Sequence, residues 1–233
     1  GLAANEFLCL TAARHAGIEV PSFALSDDGQ MLVLDRFDLV VHDDGRIERL
    51  GFEDIAALAG LRVRDILSDR KYQGSYQRIA ELLRQFQLHA GNLHRFFEQV
   101  AFSIMVRNGD AHLKNFGLLY RSREDIWLAP MFDVVTTSIY RYARSPGGPE
   151  LEDRTLALKL FAGRHHTKAY PTPEALMDFG RRICGVARPA EVVARIAEAM
   201  HRTMKDAKAD VRVPAALRTQ MAKAWDAGRG YAR

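Results

Sequence analysis

Asn108-Gly109-Asp110-Ala111-His112-Leu113-Lys114-Asn115 is the densest run of polar groups set inside an apolar frame in this chain of 233 residues. Ahead of it, Phe97, Val100, Ala101 and Ile104 recur at i, i+3, i+4 and i+7, the spacing of one buried helix face. That pattern ends at Val106, where Asn108-Gly109-Asp110 breaks the helix. Behind it, residues 116–120 (FGLLY) and 126–129 (IWLA), joined by residues 121–125, predict a hairpin. Met131-Phe132-Asp133 stands at the hairpin's far end, with Asp133 eighteen residues beyond Asn115. Loop carboxylates bracketed by strong core elements are where catalytic groups are usually placed.

Working outward, residues 4–16 (ANEFLCLTAARHA) predict a helix with Phe7, Leu8, Leu10 and Thr11 near one face and Gly17 as its stop. Extended runs follow at 20–25, 31–34 and 38–41, separated by Ser26-Asp27-Asp28-Gly29 and closed by Asp43-Asp44-Gly45. Asp-Gly pairs between apolar runs are hairpin signals, so the first quarter reads as one helix and a small antiparallel sheet. From Phe52 the pattern turns helical, with Ile55, Ala56 and Leu58 as a short stripe ending near Gly60. Residues 61–77 read as a polar loop, and Ile79, Leu82, Leu83 and Phe86 as another helix. After Thr136, the Gly/Pro-rich residues 144–149 mark a mobile surface segment. The remainder is helical: Thr172-Pro173 is a cap with proline at the first helical position. Val192, Val193, Ile196 and Met200 form a core stripe, and Leu217, Met221 and Trp225 a terminal one.

Composition excludes several classes. With 48% apolar and 27% charged residues the chain is neither disordered nor low-complexity. No apolar run reaches the roughly 18 residues of a membrane span, and the first residues lack a signal-peptide pattern, so a cytoplasmic protein with no membrane partner is expected. The net charge of +4 is mild. Cys9 and Cys184 are far apart, without CxxC neighbours, which predicts two reduced thiols among apolar residues. The first lysine is Lys71, so the opening seventy residues carry basic charge only on arginine and histidine.

The central segment fits phosphoryl transfer. That chemistry needs a carboxylate to receive or orient an acceptor hydroxyl proton. It also needs oxygen ligands to hold Mg²⁺ against nucleotide phosphates. Asp110 and Asn115 have the D-x-x-x-x-N separation of a base and a metal-binding Asn, and Asp133 is placed as a second ligand in an all-oxygen set. Asn-Gly-Asp is also a common turn. A zinc site on His112 is the other reading, although His112 has no histidine at i+4. Arg141 with Arg144, and Arg181-Arg182, read as solvated faces.

NGDAHLKNFGLLY followed by LAPMFDVVTT resembles the HipA family of serine/threonine kinase toxins, the kinase halves of bacterial toxin–antitoxin pairs. ANEFLCLTAARHAGIEVP, VLDRFDL and KYQGSYQRIAELL agree, and the resemblance runs from residue 4 to about residue 205. It implies an α+β, protein-kinase-like fold: a partial small lobe with a short antiparallel sheet, then a mostly helical large lobe. Residues 1–40 would be the remainder of the small lobe and the hinge, and 41–233 the large lobe. It also implies ATP and Mg²⁺ as cofactors, with Asp110 as catalytic base and Asn115 and Asp133 on the metal. Asp35 and Phe37 would recognise adenine through their backbone, with Asp38 near the ribose. His112, Lys114 and Phe132 would line the nucleotide and phosphate side, and Glu6 would be the acid that pairs with a strand lysine. The partners implied are a DNA-binding antitoxin, with DNA touched only through it, and a protein substrate, in the best-known relatives an aminoacyl-tRNA synthetase.

The chain departs from that pattern at its start. No lysine precedes Lys71, and Gly1, Gly17 and Gly29 form no Gly-rich loop ahead of Asp35. The expectation is a C-terminal fragment of a longer kinase, keeping base and metal ligands but lacking the phosphate-gripping lysine, and so a weak phosphotransferase alone. The alternative is a non-catalytic module that docks a DNA-binding antitoxin and contributes to transcriptional autoregulation.

Overall fold

The computed structural model describes residues 1–61, 69–86, 88–89, 91–142, 147–152 and 154–233. Residues 62–68 of the polar stretch, and Arg144, Ser145 and Pro146 of the Gly/Pro-rich loop, lie outside them.

Ala- and Leu-rich sequence makes helix α1 (Leu2–His15), which buries Ala4, Asn5, Leu8, Cys9, Leu10, Ala12 and Ala13. The buried face is therefore displaced from the predicted one, leaving Phe7 and Thr11 only partly covered. Gly17 adopts φ +70°. The Gly17 N–H donates to Arg14 O and the Ile18 N–H to Ala13 O, both at 3.0 Å, so the last carbonyls are satisfied as the helix stops.

Strands β1 (Phe23–Leu25) and β2 (Leu32–Leu34) form one antiparallel hairpin, and β3 (Leu39–Val41) and β4 (Ile47–Arg49) another. The two are separate two-stranded sheets rather than one sheet. Phe52, read as the start of a helical pattern, lies in strand β5 (Gly51–Asp54), and only at Ile55 does helix α2 (Ile55–Leu58) begin. Asp54 caps it by accepting the Ala57 N–H at 2.8 Å. Helix α3 (Tyr76–Leu83) is capped in the same way by Ser75, and α4 (Asn92–Met105) follows.

Phe96, Phe97, Val100, Ala101, Phe102, Ile104 and Met105 of α4 are fully buried, so α4 is enclosed on almost every side. Burying each such phenylalanine, valine, isoleucine or methionine side chain contributes about 1.5–3 kcal/mol. Strands β6 (Gly117–Tyr120) and β7 (Ile126–Leu128) form the predicted hairpin, and β5 pairs with β6, giving the antiparallel order β5-β6-β7. A short pair, β8 (Arg141–Tyr142) and β9 (Leu151–Glu152), precedes helices α5 (Pro173–Asp178), α6 (Pro189–Asp206) and α7 (Ala215–Arg229). Leu217, Met221 and Trp225 are buried as their stripe predicts. Helices α1, α4 and α7 all pack on α6. This α+β arrangement places the end of α4, the β6–β7 hairpin and the start of α1 around one polar centre. Among the described residues, no helix is long and apolar enough to cross a membrane.

Candidate active site

Helix α4 ends abruptly. Arg107 turns left-handed at φ +60°, and the Asn108 N–H donates to Ser103 O at 2.8 Å. A left-handed arginine costs roughly 1–2 kcal/mol, and Thr137 holds it: its N–H donates to Arg107 O at 3.1 Å. The Thr137 hydroxyl accepts the Gly109 N–H at 2.7 Å. Buried Asn108 accepts the Asp110 N–H at 3.0 Å, and the Tyr76 hydroxyl donates to Ala111 O at 2.9 Å. The loop carrying Asp110 is thus fixed on both sides by groups anchored in the core.

The polar side chains converge. Tyr72 Oη donates to Asp110 Oδ1 at 2.6 Å. His112 presents its ring to Tyr72 edge-on at 5.2 Å, and its charge couples to both Asp110 and Asp133. Burial holds its pKa below the ordinary imidazole value. The His112 Nδ1 is buried and meets no hydrogen-bond partner among the described residues. Asn115 Oδ1 accepts the His112 N–H at 2.9 Å, while Asn115 Nδ2 donates to Asp133 Oδ2 at 2.6 Å. Asp133 is itself left-handed, at φ +53°.

From α1, the Glu6 carboxyl reaches the backbone N–H groups of Asp133 and Val134. Burial, then the charge of Asp133, pushes its pKa up to about 7. The sequence reading gave Glu6 a lysine partner; its partner here is the Asp133 backbone.

The segment read as a hinge joins the same centre through rings. Phe37 lies 5.2 Å from Phe132 and 5.4 Å from Phe52, and Phe52 lies 6.1 Å from Phe132. The Asp35 N–H is committed to Ser22 O at 2.8 Å. Two expected site residues face elsewhere. Asp38 is clasped by Arg36 Nε at 2.9 Å, and Lys114 Nζ pairs with Asp54 Oδ2 at 2.9 Å. Tyr72 carried no role in the sequence reading. It lies 38 residues from Asp110 in a stretch read as loop, and no local spacing marks it.

Among the described residues no group of three or more His, Cys, Asp and Glu side chains clusters as a metal cage. The donor set is Asp133 with the amide oxygen of Asn115, whose second lone pair remains after the His112 N–H. Two hard oxygens suit Mg²⁺, which is commonly held by one or two protein oxygens plus substrate phosphates. The His112 nitrogen left without a partner, on a ring that feels the charges of Asp110 and Asp133, marks a place where a ligand or water oxygen would satisfy a buried polar atom.

The family model described as "HipA-like C-terminal domain" matches residues 1–208. Two proteins of Sinorhizobium fredii (strain NBRC 101917 / NGR234) whose names class them as kinases are similar. Y4dM is 31% identical over 155 residues, covering 60% of this chain and 35% of that protein. Y4mE is 28% identical over 206 residues, covering 85% and 48%. The chain thus spans between a third and a half of the length of these relatives. Among solved structures, HipA of Shewanella oneidensis MR-1, determined with HipB and operator DNA, matches with a TM-score of 0.70 at 17% identity. That match covers 99% of this chain and 55% of that one. The Helicobacter pylori proinflammatory kinase CtkA matches with a TM-score of 0.64 at 12% identity, covering 98% and 83%. The fold is therefore kinase-like.

Proposed function

The chain belongs to the HipA-like C-terminal domain family, and from that premise we propose that it is the core of an ATP- and Mg²⁺-dependent serine/threonine protein kinase. In this reading it is the toxin component of a toxin–antitoxin pair. Residues 1–40 serve as small-lobe and hinge portion, and 41–233 as the large lobe. The observation that carries the reading is the bonded series Tyr72–Asp110 and Asn115–Asp133 within one fixed loop and its neighbour.

Asp110 is the base. The Tyr72 hydroxyl on Asp110 Oδ1 occupies the position an acceptor hydroxyl would take, and displacing it would leave the carboxylate to receive the proton of an incoming serine or threonine. Asn115 and Asp133 would hold Mg²⁺, which when bound neutralises charge on the phosphoryl oxygens. Phe37 and Phe132 would border the nucleotide. With the Asp35 N–H given to Ser22, adenine contact at that residue would use its carbonyl. Asp38 and Lys114 would have to leave Arg36 and Asp54 to reach a nucleotide.

The test is a calorimetric titration with ATP and Mg²⁺. Saturable binding that Asp133→Asn weakens about tenfold or more supports the reading. Binding indifferent to Asp133 overturns it. That second result would favour a docking module for a DNA-binding antitoxin, a partner suggested by the HipB complex of the Shewanella oneidensis protein.

A further inference from the structure

A cavity of about 480 Å³ opens between the end of α4, the β8–β9 pair and α7. Among the described residues its wall carries Arg107, Arg141, Arg154 and Lys223 against Glu152, and Glu150, paired with Arg141 at 3.3 Å, leaves a surplus of two positive charges. The size suits a small ligand. Arg107 is held in place from two sides: its guanidinium lies 4.4 Å from the centre of the Tyr170 ring and 5.8 Å from that of Tyr231.

The cluster already stabilises an anion. Arg154 Nη2 lies 2.6 Å from Glu152 and Arg141 Nη2 3.4 Å. Arg154, followed by Arg141 and Lys223, holds the Glu152 carboxyl below the usual range.

We propose that this cavity binds a phosphate monoester, through Arg107, Arg141, Arg154 and Lys223. Three of the four cations are guanidinium groups, whose forks fit tetrahedral phosphate oxygens in pairs. A dianion matches the surplus of two positive charges that Glu152 and Glu150 leave. The cations converge on one hollow rather than along a stripe, which favours a single phosphate over a duplex backbone. The Ser138 hydroxyl also lines the wall and adds a neutral donor.

The site is joined to the catalytic loop. Arg107 precedes Asp110 by three residues, and Thr137 ties its carbonyl to the Gly109 N–H. Filling the cavity therefore steadies the loop behind Asp110. This coupling rests on the kinase reading; the binding does not.

Calorimetric titration of the full chain with O-phospho-L-serine, and with serine as control, tests the site. The phosphorylated form should bind and serine should not. Arg154→Gln and Lys223→Gln, both at the surface, should each weaken binding about tenfold without changing the melting temperature. Glu152→Gln, which removes the carboxylate that competes for Arg141 and Arg154, should tighten it, an outcome that misfolding cannot mimic. A phosphoserine peptide that binds more tightly than the free amino acid identifies a protein source, and equal affinity a small metabolite. No binding at about 10 mM phosphoserine, equal affinity in every variant, or displacement by duplex DNA with the same cation dependence overturns the proposal.

Hydrogen exchange at residues 109–112 should slow with phosphoserine, and unchanged exchange removes the coupling. Phosphoserine binding without ATP binding would discard the kinase reading and keep the cavity; the reverse would discard the cavity.

Discussion

The Tyr72 hydroxyl on Asp110 separates two kinds of contribution that a single substitution can distinguish. Tyr72→Phe removes one hydrogen bond to a carboxylate and should cost about 1.5–3 kcal/mol of unfolding free energy. If the phenol competes with the acceptor, the same variant lowers the acceptor KM in a phosphoryl-transfer assay at unchanged kcat. A raised KM would show that Tyr72 orients Asp110 instead. Asp110, Asn115 and Asp133 were legible in the sequence because their chemistry lies in a short segment and one hairpin. Tyr72, and the meeting of Glu6 with the Asp133 backbone, were not: tertiary packing alone brings them there. The left-handed backbone of Arg107 was equally hidden, since arginine rarely adopts it, whereas aspartate, as at Asp133, is among the residue types enriched there.

Among elements, helices declared themselves by periodicity, and the stripes on α3, α4, α6 and α7 all reach the core. Strand β5 did not. Gly51-Phe52-Glu53-Asp54 is too short to show alternation and runs straight into α2, so pairing with β6 is what makes it a strand. Close approach between elements was also invisible in sequence. At Gly228, α7 meets the end of α4 so tightly that an added methyl would overlap the Met105 carbonyl, a backbone atom that cannot swing aside. Gly228→Ala should therefore destabilise by about 1–3 kcal/mol. Gly230→Ala, where an added methyl meets nothing, should stay within about 0.5 kcal/mol. Urea denaturation of the two variants checks the pair, and equal midpoints would mean that α7 does not seat on α4 as described.

For the whole molecule, one core ties the first helix to the last. Asn5 exchanges hydrogen bonds with the Thr136 backbone at 2.9 and 3.1 Å, and Trp225 Nε1 donates to the Thr136 hydroxyl at 2.8 Å. Cys9 lies inside this junction and Cys184 beside α5, both free, and burial pushes each thiol up to about 12. Their ordinary value is 9.0. At pH 9 each native thiol should then carry several hundredfold less thiolate than an exposed one, so alkylation by iodoacetamide proceeds only through unfolding. The sign for stability follows. Folded pKa values above the unfolded ones mean that the unfolded chain loses these protons first as pH rises past 9. The contribution of both cysteines is intact below pH 9 and is lost towards 12. Two measurements check this: alkylation rates at pH 9 with and without urea, and melting temperatures from pH 8 to 11 for the wild type and Cys9→Ala. Cys9 and Cys184 should react at one common rate that tracks global unfolding. Faster labelling of Cys9 alone would show that α1 detaches from α6 and α7 before the rest of the core opens.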